Sequence, residues 1–116
     1  LEKRNGLYFS NLDAYLNIAG GMRLDEPAAD LPVVMSLVSA LRDVPLDEET
    51  VIFGEVGLSG EIRNVERALL RVNEAARLGF KKCILPKASL KQLEGYNKNI
   101  TLLPVKNISE AIDFIR

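Results

Sequence analysis

The chain has 116 residues, 47% of them hydrophobic and 27% charged, with a formal net charge of −1; that length supports a single domain over residues 1–116 with one core. No run approaches the roughly 20 apolar residues needed to cross a bilayer. One Cys and no His exclude an internal disulfide and a Cys/His zinc set.

Leu1-Glu2-Lys3-Arg4 opens the chain with neither Met nor a signal pattern, so the expectation is a piece of a longer protein; the lone Cys83 adds the expectation of a reducing, cytoplasmic setting. Leu7-Tyr8-Phe9 and Ala14 to Ala19 read as two strands joined by a turn at Ser10-Asn11-Leu12-Asp13. Gly20-Gly21 ends that pattern. Leu31, Val34, Met35, Val38 and Leu41 then form an amphipathic helical stripe. Pro32 is tolerated only in a first turn, which places the helix start near Ala28 or Ala29. Asp25, Glu26 and Asp30 cluster at that helix N-terminus, where the dipole favours negative charge; a metal site is the alternative use of three acids, although further ligands are missing.

Arg42 to Thr50 is a polar connection. Val51 to Val56 and Glu61 to Val65 flank Gly57-Leu58-Ser59-Gly60 and read as a strand pair with its turn. Gly54, Gly57 and Gly60 fit no phosphate-binding pattern, so they mark a turn with close backbone approach. Glu66 to Leu78 reads as a helix burying Leu69, Val72 and Ala76 beside Ala68 and Ala75, stopped by Gly79. Lys81 to Pro86 is a short buried strand in which Cys83 is a small core residue, because no His exists to activate it. Ala88 to Leu93 gives one or two helical turns and Ile100 to Val105 a strand. Asn107-Ile108-Ser109-Glu110 resembles a capping box opening a last helix that buries Ile108, Ala111, Ile112 and Ile115. Strand pairs alternating with helices indicate an α/β or α+β fold in two layers.

Charge is unevenly divided. Residues 1–60 hold 4 basic and 10 acidic side chains, and residues 61–116 hold 11 and 6, giving about −6 and +5. This division suits head-to-tail self-association or a basic face for nucleic acid; scattered solvated charge is the plainer alternative.

Three motifs are more specific: Asn17 to Asp30 (NIAGGMRLDEPAAD), Phe53 to Arg63 (FGEVGLSGEIR) and Glu74 to Lys82 (EAARLGFKK). In order and spacing they resemble the C-terminal domain of the RadA (Sms) family of bacterial DNA repair proteins, over essentially the whole chain. That domain is similar to the proteolytic domain of Lon proteases, so the resemblance implies an α+β, ribosomal protein S5 domain 2-like fold. Lon's nucleophilic Ser, in Gly-Pro-Ser-Ala-Gly, corresponds to Ala28 in Glu26-Pro27-Ala28-Ala29-Asp30. Its catalytic Lys, in Gly-Gly-Leu-Lys, corresponds to Leu69 in Glu66-Arg67-Ala68-Leu69. Neither side chain can attack a carbonyl or take a proton, so the expectation is a pseudo-protease without catalytic residues or metal.

The resemblance further implies a parent ATPase that drives branch migration in recombinational repair with RecA, as a hexameric ring. ATP, Mg and Zn would belong to other parts of that parent; no cofactor is expected in this chain. Two roles follow for the domain itself, an oligomerisation scaffold and a surface for single-stranded or branched DNA. The DNA-binding candidates are Arg63, Arg67, Arg71, Arg77, Lys81 and Lys82; their alternative use is pairing with acids of a neighbouring copy. A residual Lon-type Ser peptidase or peptide-binding domain is the competing function.

Overall fold

A computed structural model of the chain describes residues 27–96 and 99–115. The two strands read between Leu7 and Ala19, their turn, Gly20-Gly21 and the Asp25 and Glu26 carboxylates lie outside the described residues.

The first described helix opens through a 3-10 turn, Pro27–Ala29, and continues as α1, Asp30–Arg42. Pro32 sits at its third position, where its missing N–H has no intrahelical partner in any case. The C-terminus closes on Asp43 at φ 57°, with Asp43 N–H donating to Ala40 O (3.2 Å) and Val44 N–H to Ser39 O (3.0 Å). These two bonds are a Schellman closure, with Asp standing where Gly is commoner because a short polar side chain tolerates the left-handed region. The buried face is Leu31, Pro32, Met35 and Ser39, whereas Leu41 is 86% exposed. The expected stripe is therefore rotated: Ser39 satisfies its hydroxyl by donating to Val44 O, so it can be buried without an orphaned polar atom.

The strand expected over Val51 to Val56 is broken in two. β1, Thr50–Ile52, joins a parallel sheet, and β2, Glu55–Val56, pairs antiparallel with β3, Ile62–Arg63. Gly54 is the break. Its N–H donates to Ala28 O (2.9 Å) and its carbonyl accepts from Leu31 N–H (3.0 Å), so the start of α1 takes the bonds a strand neighbour would have taken. A Cβ there would lie 3.0 Å from Ile62 Cγ2, which explains the glycine. The β2–β3 turn needs Gly60 at φ +82°, and Gly60 N–H donates to Gly57 O at 3.0 Å.

Next come α2, Ala68–Arg77, and β4, Lys82–Pro86. A 3-10 segment, Lys87–Leu93, leads to β5, Thr101–Val105, and α3, Ile108–Ile112, is the last described element. Gly79 at φ +95° closes α2, with Phe80 N–H donating to Ala75 O and Gly79 N–H to Ala76 O, both at 3.1 Å. The buried face of α2 is Ala68, Val72 and Ala75; Leu69, expected inside, is 43% exposed. One residue of phase accounts for this, since Ala68, Val72 and Ala75 keep the i, i+4, i+7 spacing. The capping box at α3 is altered in one arm. Asn107 Oδ1 accepts from Glu110 N–H (2.9 Å), but Glu110 Oε1 accepts from the Lys106 N–H (2.7 Å) and not from that of Asn107.

The parallel sheet has the order β1-β4-β5, with Thr50 opposite Lys82 and Pro86 opposite Val105. Cys83, Ile84, Leu85 and Pro86 are all buried, as a central parallel strand covered on both faces requires. A parallel sheet with crossovers plus an antiparallel hairpin and flanking helices is an α+β domain, the class expected from the sequence.

Candidate functional site

Ala28 is 1% exposed and lines a cleft of about 330 Å³ together with Pro27, Glu55, Asn64, Val65 and Glu66. The cleft is held open from two sides. Ala28 is fixed by its carbonyl bond to Gly54 N–H. Asp30, one helical step further on, accepts from Val56 N–H at 3.0 Å, tying α1 to the hairpin that carries Glu55. None of the lining side chains bears a hydroxyl, thiol or amine. Leu69 does not line this cleft, and its alkyl side chain has no proton acceptor.

Cys83 is fully buried, and burial raises its thiol well above the usual range. A thiolate nucleophile is thus disfavoured.

Sequence reasoning missed the polar network behind the cleft. Ser89 Oγ donates to Asn64 Oδ1 (2.7 Å) and accepts from Val65 N–H (3.3 Å). Gln92 Nε2 donates to Asn64 Oδ1 (2.9 Å) and Val65 O (2.7 Å), while its Oε1 accepts from Ala68 N–H (2.9 Å). Gln92 therefore caps α2 from 24 residues away. Only capping residues adjacent in sequence leave a readable motif, so no local signal pointed to it.

The six basic candidates are not one patch. Arg63 lies on β3 and is paired with Glu61 (3.0 Å) and Glu55 (3.5 Å); the Glu61 carboxyl is lowered by backbone hydrogen bonding and by Arg63. Arg71 Nε donates to Glu66 O at 2.9 Å. Arg77 pairs with Glu74, and their hydrogen bond holds that carboxyl below its usual range. Lys82 pairs with Asp47 at 3.4 Å. Arg67 and Lys81 are exposed and form no ion pair among the described residues.

Helix α2 separates these groups, since ten residues rise about 15 Å. Arg67 and Arg71 stand at its N-terminal end and Arg77 at the other, followed by Lys81 and Lys82. The acidic and basic halves of the sequence also interleave in space: Lys81 N–H donates to Glu49 O (2.8 Å) because β1 and β4 run side by side.

Arg67 carries backbone strain as well. It sits at φ 59°, a region that disfavours L-residues other than Gly, Asn and Asp. Among the described residues no three His, Cys, Asp or Glu side chains gather as metal ligands, and no helix is long and apolar enough to cross a membrane.

The chain is similar to proteins named DNA repair protein RadA. That of Bacillus subtilis (strain 168) is 50% identical over 114 residues, 97% of this chain and 24% of the relative. Those of Streptococcus pneumoniae (strain ATCC BAA-255 / R6) and Aquifex aeolicus (strain VF5) are 47% and 44% identical over 112 and 115 residues, covering 97% and 99% of this chain and 26% and 25% of theirs. The chain thus spans about a quarter of the length of the curated relatives it matches. A family model described as subunit ChlI of Mg-chelatase matches residues 3–89, and on that match the chain belongs to the ChlI family.

Proposed function

We propose that the chain is a catalytically inactive, Lon-like domain of a RadA-like DNA repair protein, serving as an oligomerisation scaffold and a DNA-contacting surface in recombinational repair. The observation that carries this reading is the cleft at Ala28, built as a concave site yet lined by Pro27, Ala28, Glu55, Asn64, Val65 and Glu66. Acyl transfer needs a nucleophile and a base within hydrogen-bond reach of each other. Two glutamates and an asparagine supply neither an activated nucleophile nor an amine. The RadA relatives, similar over nearly the whole chain, support the repair context.

Within that reading the domain works in the cytoplasm as part of a ring, a hexamer in the parent, and meets single-stranded or branched DNA alongside RecA. ATP and Mg act elsewhere in the parent. Zinc does not fit here, because the chain has no His and its one Cys is buried. Of the six basic candidates, Arg67 and Lys81 are the first to contact phosphate, since neither forms an ion pair among the described residues.

Light scattering after gel filtration tests the scaffold, and DNA binding by an Arg67→Ala/Arg71→Ala variant tests the surface. Association above the monomer, with DNA binding lost and assembly kept in the variant, is the expected result. A strict monomer at high concentration contradicts the scaffold. Loss of assembly with the two arginines assigns them to the interface between copies.

A further inference from the structure

The carboxyl ends of β4 and β5 carry a feature that the six candidates do not include. In a parallel sheet, ligands favour the crevice outside the carboxyl ends of the strands. Pro86 ends β4 and is in register with Val105, which ends β5. Lys87 and Lys106 therefore each follow directly on the last paired residues of two adjacent strands.

Both lysines line one open groove of about 610 Å³ whose wall includes Phe114. Phe114 is 47% exposed, an unusual position for a ring that costs free energy when left in water. Neither lysine forms an ion pair among the described residues. Two carboxylates share the groove. Glu110 is engaged by the Lys106 N–H at 2.7 Å. Asp113 is exposed and has no such tie through its side chain among the described residues.

We propose that this groove binds single-stranded nucleic acid, with Lys87 and Lys106 on the phosphates and Phe114 stacked on a base. The inference deepens the DNA-contacting part of the function proposed above and rests on it. Paired cations beside an exposed aromatic ring are the elements with which proteins track a single strand: charge follows the backbone and the π-face accepts any base. A duplex keeps its bases stacked inside and offers that ring nothing. Glu110 and Asp113 both oppose phosphate by like-charge repulsion, so removing Asp113, whose carboxylate caps nothing among the described residues, is expected to help binding.

Fluorescence anisotropy of the whole chain with labelled oligothymidylate, titrated at several KCl concentrations, tests this. Lys87→Ala/Lys106→Ala is expected to weaken binding and to reduce the slope of log K against log salt by about 1.4, at about 0.7 per contact. Phe114→Ala is expected to cost about 5- to 150-fold in affinity, Phe114→Tyr to retain it, and Asp113→Asn to tighten binding. Circular dichroism confirms that each variant is folded. Unchanged affinity and slope in the double lysine variant, while Arg67→Ala/Lys81→Ala loses binding, overturns the groove and leaves the DNA-contacting reading standing. Absence of binding by the unmodified chain at 50 mM KCl overturns both, and equal affinity for duplex and single strand with no effect of Phe114→Ala overturns the stacking arm.

Discussion

Arg67 concentrates what a single residue reveals about this protein. Its φ of 59° costs about 1–2 kcal/mol for an L-residue, and glycine would avoid that strain while losing some of the gain to chain entropy. Arg67→Gly is expected to stabilise the fold by about 0.5–1 kcal/mol and raise the thermal midpoint by a few degrees, while Arg67→Ala leaves it nearly unchanged. Thermal melts of the two variants decide this, and equal midpoints would remove the strain argument. Asp47 offers a second test. Its carboxyl is lowered chiefly by the Glu49 N–H, with help from the Thr50 hydroxyl and Lys82. A folded-state pKa below the unfolded value adds stability at neutral pH that disappears as pH falls through the folded pKa. The advantage of the wild type over Asp47→Asn, within about 1 kcal/mol for so exposed a pair, is therefore expected to fade below about pH 4 and to be constant above pH 6 in urea unfolding. Of these residue-level features, the missing hydroxyl at Ala28 was legible in the sequence. The strain at Arg67 was not, because a single φ leaves no mark on composition or periodicity.

At the scale of elements, patterning located the described helices, the glycine-closed end of α2 and the buried β4. It failed where partners are distant. Val51 to Val56 has the alternation of one strand, yet Gly54 gives its N–H and carbonyl to Ala28 and Leu31, and the strand splits between two sheets. The helical stripes at Leu41 and Leu69 were each misphased because small residues, Ser39 and Ala68, took the buried positions. The capping of α2 by Gln92 and the Ser89–Asn64 bond are likewise long-range. Ser89 is fully buried, so Ser89→Ala leaves the buried Val65 N–H without its acceptor, while Asn64 Oδ1 keeps Gln92 Nε2, and is expected to cost about 1–3 kcal/mol. A lowered urea midpoint with an unchanged slope is the expected readout; an unchanged midpoint would show that solvent replaces the hydroxyl.

For the molecule as a whole, charge counted along the chain was a poor guide to charge in space. The acidic stretch Asp47 to Glu49 and the basic Lys81-Lys82 lie far apart in sequence, yet the parallel pairing of β1 with β4 sets them at one end of the sheet. What remains basic and without an ion pair among the described residues is dispersed: it includes Arg42 at the end of α1, Arg67 at the start of α2, Lys81 after its end, Lys91 in the 3-10 segment, and Lys87 with Lys106 beyond the carboxyl ends of the strands. Such a surface suits several weak phosphate contacts better than one deep site, which predicts DNA affinity that falls steeply with salt and varies little with sequence. The function proposed for the whole domain has the cleft at Ala28 doing no chemistry of its own. Incubation of the purified chain with fluorogenic casein, beside an Ala28→Ser variant, tests that claim most directly. No hydrolysis above buffer is expected for either protein, since no lysine amine stands among the residues lining the cleft to activate a hydroxyl at position 28; turnover by the unmodified chain that is abolished by replacing one of its serines would contradict it.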